Sequence, residues 1–218
     1  MLHSRLGRFH FHTDKQVAMI TGHGTSVVVF PVLQCPCLRA ERQFDPLCAA
    51  CHGTGRYYPP GLAYATTLLL VHESSQRELS DPGSWIPGTV QASILPGIRL
   101  SERDKIQWLD VKDVANDEVL YRGIDDTVRH TAGVALEVVA DFQTIYRAGT
   151  DYLLSPPHTI TWVPGGQAPA FGAQYSVRYA YNPEYLVVND APRLRVEHRI
   201  PQSQEVILMR LDTIQEGA

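Results

Sequence analysis

Cysteine is absent from residues 1–34 and again from residue 52 to the end of this 218-residue sequence. A fold stapled by disulfides spreads its cysteines along the chain, so that class is excluded and a reducing, intracellular setting is expected. An excess of positive charge is missing too: 19 Lys and Arg face 23 Asp and Glu, the net charge is −4, and no strongly basic stretch occurs. Proteins that grip nucleic-acid backbones carry a basic face, so tight, salt-sensitive DNA binding is not expected. No apolar run approaches the ~20 residues of a membrane-spanning helix; the longest, 27–30 and 68–71, are strand-sized. The start, MLHSRLGRFHFHTDKQ, has no apolar core or cleavage site after its basic residues, and no signal peptide is expected.

Catalytic signatures are equally scarce. There is no G-x-S-x-G, no phosphate-cradling loop and no dinucleotide fingerprint; Gly22-His23-Gly24-Thr25 reads as a turn. His72-Glu73 lacks the second histidine four residues on that a zinc-hydrolase helix needs. His3, His10 and His12 offer a second candidate metal site, but no carboxylate is spaced to help, and a solvated arm is the simpler reading. Asp125-Asp126 sits in polar surroundings and reads as solvated loop or turn. The expectation is a protein that is not an enzyme.

What the chain does carry is β character. It is 44% hydrophobic with ten Tyr, and its 16 Gly and 15 Pro are scattered as turn punctuation, which argues against disorder and for short strands. Residues 16–33 read as two short strands around the Gly-His-Gly turn, 62–72 as a strand, and 88–95 and 105–111 as strands joined by the polar link 101–104. Residues 112–130 read as connecting loops with one short strand around 119–122. Residues 175–181 alternate with period two and present an aromatic face. Further strands fit 185–188, 193–200 and 205–211, the last apolar on both faces and hence central. Trp85, Trp108 and Trp162 sit in or beside strands and read as core. The chain is expected to be mainly β: an N-terminal arm and short strands (1–33), a four-cysteine zinc-binding loop (34–58), a small β-barrel or sandwich (59–130), and a second β-rich region (131–218) whose C-terminal strands return to the core.

The cysteines form two close pairs, Cys35-Pro36-Cys37 and Cys48-Ala49-Ala50-Cys51, followed by His52-Gly53-Thr54-Gly55. Four thiolates so paired suit a closed tetrahedral structural site, and one zinc per chain on Cys35, Cys37, Cys48 and Cys51 is the expectation. The alternatives are four free thiols in a loop, a redox pair at Cys48 and Cys51, and iron–sulfur ligation, which four cysteines also suit. The run Cys48 to Gly55 resembles the C-x-x-C-x-G-x-G unit of J-domain co-chaperones. It occurs here once and without their His-Pro-Asp signature, so the likeness is to the local metal-binding turn alone.

Three segments in order carry a second resemblance. The cysteine cluster is followed by ILPGIRLSERDKIQWLD, then by DYLLSPPHTITWVPGGQAPAFGAQYSVRYAYNPEYLV with APRLRVEH and QEVILMRLD. The second segment resembles the barrel strand pair of neck proteins of tailed bacteriophages, and the third is similar to β-domains of phage virion proteins. That resemblance implies a virion structural protein, assembled in the host cytoplasm, forming a ring of six or twelve copies in the head–tail connector. It implies portal or adaptor proteins on one side and tail-terminator or tail-tube proteins on the other, with DNA passing through the lumen without tight binding and no membrane partner. An acidic balance suits such a channel. The alternatives from other classes are a tail or baseplate component and a zinc-ribbon interaction module.

Overall fold

The computed structural model describes residues 13–37, 44–71, 89–156, 158–189, 196–197, 200–201 and 203–212. Helix α1 (Thr13–His23) comes first and leads into β1 (Thr25–Phe30); β2 (Leu33–Gln34) and β3 (Arg56–Tyr57) bracket the cysteines, and β4 (Tyr64–Val71), β5 (Thr89–Ile94) and β6 (Lys105–Trp108) follow. After an inserted unit come β13 (Glu184–Asn189), the short pair β14 (Val196–Glu197) and β15 (Ile200–Pro201), and β16 (Glu205–Arg210). Six strands close into a barrel in the order β1-β4-β5-β16-β13-β6. β16 is bonded on both edges, antiparallel to β5 and to β13, which is the central placement its two apolar faces call for.

Alternate positions of each barrel strand point inward and leave almost no surface: Val27 and Val29, Leu68, Ala92 and Ile94, Ile106, Val187, and Val206 and Leu208 are all at 0–1% exposure. Each such aliphatic side chain contributes about 1.5–3 kcal/mol by leaving water. The described inward side chains therefore pack into a core that fills the barrel interior. At one end α1 buries Ile20, and Gly24 ends the helix by donating its amide to the Ile20 carbonyl at 2.8 Å. A Cβ on Gly24 would lie 2.3 Å from that oxygen and 2.9 Å from the Leu68 carbonyl, so the helix end and β4 meet only because this residue is glycine.

Gln107–Pro183 forms a separate compact unit, and the chain on either side of it forms the other. In the insert, β7 (Asp113–Tyr121), β8 (Ala135–Ala140), β9 (Ile145–Tyr146) and β12 (Gln174–Tyr181) make a sheet ordered β7-β12-β8-β9, beside the hairpin β10 (Tyr152–Ser155) and β11 (Thr159–Trp162). The alternation expected for 175–181 is present: Tyr175, Val177, Tyr179 and Tyr181 are buried between more exposed neighbours. Tyr146, Tyr152 and Tyr175 each set an edge against Trp162, with centroids 5.0, 6.1 and 5.2 Å away. The insert's two ends are adjacent, since the Trp108 amide donates to the Pro183 carbonyl at 3.1 Å. Asn182 clips them from inside, donating to the carbonyls of Trp108 and Leu109 and accepting from Lys112 Nζ.

The fold is mainly β with a barrel, as expected, but three local readings are corrected. Residues 13–23 form a helix where a strand was expected from residue 16, because the close junction of the helix end with β4 at Gly24 outweighs the local pattern. Residues 113–121 form a nine-residue strand where loops and one short strand around 119–122 were expected; the strand begins six residues earlier, with Asn116 and Asp117 exposed at the edge of a sheet. The barrel is also discontinuous in sequence: it does not end at 130, because β13 and β16 supply two of its six strands. None of the described helices is long and apolar enough to cross a membrane. His3, His10, His12, His72-Glu73 and Trp85 lie outside the described residues, as does most of 193–200.

Candidate metal centre

The two-residue strands β2 and β3 pair antiparallel, Leu33 with Tyr57 and Gln34 with Arg56, and so turn the cysteine segment into the excursion of one hairpin. The Cys35 amide extends the pairing by donating to the Gly55 carbonyl at 2.8 Å. On the returning arm, Cys48 donates to the Asp45 carbonyl, His52 to Cys48 and Thr54 to Cys51, which winds the second pair into a tight turn. That turn reverses through positive φ at His52, Gly53 and Gly55. At Gly55 two needs coincide: φ is +71°, and a Cβ would lie 2.4 Å from the ring of Phe44, which sits against it.

The result is that all four thiols meet. The Sγ atoms of Cys35, Cys37, Cys48 and Cys51 lie within 4.8 Å of one another, with Cys35 to Cys48 at 3.7 Å and Cys37 to Cys51 at 3.4 Å. No disulfide joins them. A four-sulfur site with metal–sulfur bonds of about 2.3 Å has tetrahedral edges near 3.8 Å, so sulfurs this close could bind one metal ion. Cys35 and Cys51 are buried, at 2% and 3% exposure. His52 is exposed and is not among the clustered ligand atoms.

Electrostatics agree with the geometry. The amides of Cys51 and Ala50 point at Cys48 and lower its thiol to about 7. Desolvation raises Cys37 to about 12. At Cys35 the Cys37 amide pulls downward, but desolvation and the thiols of Cys48 and Cys51 outweigh it and leave the group raised. Four sulfurs this close cannot all carry charge unaided; a cation among them is what would let them ionise together. These residues are therefore placed to hold a metal ion.

Both arms of the hairpin are fastened to one turn of the barrel. Asp104, 4% exposed, accepts from the Val32 amide at 2.9 Å just before β2, and from Ser101 at 2.8 Å. Just after β3, the Tyr58 hydroxyl donates to the Arg103 carbonyl at 3.1 Å. The four cysteines expected from the sequence are thus brought together, whereas Phe44, Tyr58 and Asp104 were not foreseen. Asp104 closes the polar link 101–104 that was read only as a turn, and nothing in that tetrapeptide announces a partner 72 residues upstream.

Asp126 is likewise more than solvated loop: it accepts from the Tyr175 hydroxyl at 2.6 Å, from Trp162 Nε1 at 3.3 Å and from the Gly123 amide. Trp108 is buried, and Trp162 sits at the centre of the insert's aromatic cluster.

In comparison with protein families, residues 104–211 are similar to a domain of unknown function, DUF4815. The match begins at Asp104, spans the whole insert and runs through β16, so the cysteine hairpin falls outside it. No curated protein matches the chain.

Proposed function

We propose that this chain is a non-catalytic structural subunit whose cysteine hairpin is held rigid by one zinc ion on Cys35, Cys37, Cys48 and Cys51. The observation that carries this reading is the convergence of four thiols within 4.8 Å on a hairpin whose two arms are tied to a single barrel turn. Zinc fits the donor set because it takes four thiolates in a closed tetrahedron and has no redox chemistry to protect. The ion would supply the cross-link that a segment without its own core needs. The residues around it do the rest: Asp104 and Tyr58 fix the base, and Phe44 against Gly55 fills the inside of the turn.

The assembly we propose is the neck ring of a tailed bacteriophage, on the strength of the ordered segments 35–51, 94–110 and 151–212. A barrel filled by its own side chains cannot pass DNA, so in this reading the lumen lies between copies and the hairpin reaches a neighbouring subunit. The test is to add purified protein to capsids that lack tails and image them by electron microscopy. Rings of density at the portal vertex are the expected result. Binding to tails or host surfaces but not to the portal vertex would contradict it and favour the baseplate alternative.

A further inference from the structure

Between the cysteine hairpin and the turn 101–104 lies a cavity of about 380 Å3. Val32, Leu33 and Phe44 are its apolar lining residues and Arg56 and Arg103 its charged ones; among the described residues no acidic one lines it. Arg56 makes no ion pair with any described residue. Arg103 reaches Glu102 at 3.7 Å, but both side chains are more than half exposed, and such a pair exchanges readily for a better partner.

The backbone at Arg103 is unusual. Its φ is +72° at the third position of the turn closed by the Asp104 amide on the Ser101 carbonyl, a place that glycine fills without strain. The conformation is held from both sides, by the Arg103 amide on the Val187 carbonyl at 2.6 Å and by the Tyr58 hydroxyl on the Arg103 carbonyl. An arginine held in a left-handed backbone while lining a cavity fits a side chain placed there for what it binds.

We propose that this cavity receives an acidic side chain flanked by an apolar residue, presented by a partner protein. The two guanidiniums match a carboxylate, which arginine binds through paired N–H donors, and the Val32, Leu33 and Phe44 wall matches a hydrocarbon neighbour. Bare phosphate fits less well. Of the lining residues, the Val32 amide is taken by Asp104, the Thr54 amide by the Cys51 carbonyl and the Arg56 amide by Thr54 Oγ1, so these three are not available to nest an anion. The volume, near the lower end of ligand-pocket sizes, suits one or two side chains. This inference does not depend on the virion reading.

The test uses the full chain, labelled with nitrogen-15, and the pentapeptide acetyl-Gly-Phe-Glu-Phe-Gly-amide as probe. The same peptide with Gln for Glu and inorganic phosphate serve as controls. The expected result is a shift of the Leu33, Gly55 and Arg56 amides with the Glu peptide and binding about tenfold weaker or worse with the Gln peptide, the loss of one charge-assisted contact. Arg103→Gly separates binding from folding. It should keep or raise the melting temperature, because glycine relieves the strained φ, while weakening the Glu peptide about tenfold. Equal binding of the two peptides, undiminished binding to Arg103→Gly, or phosphate displacing the peptide at equal concentration would overturn the proposal.

Discussion

Asp141 accepts from the Tyr146 hydroxyl at 2.5 Å and from the amides of Gln143 and Thr144, and these bonds hold its carboxyl below the usual range. Asp151 is lowered in the same way by the amides of Arg147 and Gln167. A carboxyl whose folded value lies below its unfolded one stabilises the fold above the unfolded value, about 3.9, and loses that contribution as pH falls through the folded value. The insert should therefore melt at progressively lower temperature below about pH 4. Asp151→Asn should lower its melting temperature at pH 7 and flatten the acid limb; an unchanged limb would assign the acid sensitivity elsewhere. At this scale the cysteines were legible because two close pairs of one reactive residue are themselves a chemical statement. The carboxylates were not. A polar run reads the same whether Glu118 and Asp126 face water or accept from the hydroxyls of Tyr179 and Tyr175, which lie 61 and 49 residues away.

Among the elements, the strands with a clear apolar pattern were the readable ones: β12 by its period-two alternation, β13 and β16 by short apolar runs of strand length. The helix α1 was not readable. Of its residues only Ile20 is buried, while Val17 and Met19 stand 36% and 50% exposed, so no apolar stripe at helical spacing exists to be found. What fixes it is tertiary, the glycine junction against β4. Gly24→Ala places a methyl within 2.3 Å of the Ile20 carbonyl, and it should destabilise the barrel by about 1–3 kcal/mol, measured by denaturant unfolding. A variant as stable as the parent would show that α1 can shift away from β4 without loss. Of the strand β7 only the end around 119–122 was readable: its edge position and irregular register with β12 leave Asn116 and Asp117 exposed in its middle, which breaks the alternation.

For the whole molecule, the return of C-terminal strands to the core was legible, but the boundary of the insert was not. Strand order depends on pairings such as β5 with β16, more than a hundred residues apart, and no local pattern encodes them. The insert's adjacent ends make a direct prediction: replacing 109–182 by a short Gly-Ser turn should leave a folded barrel with its cysteine centre intact, seen by circular dichroism and metal content. Collapse of the barrel would show that the two units fold as one. The central claim, a metal-stapled hairpin on that barrel, is tested most directly by elemental analysis of the purified chain with a free-thiol count on the same sample. The account predicts about one zinc per chain and four protected thiols, with Cys48→Ser losing the metal while the barrel stays folded. No metal with four freely reactive thiols, or full zinc occupancy in Cys48→Ser, would contradict it.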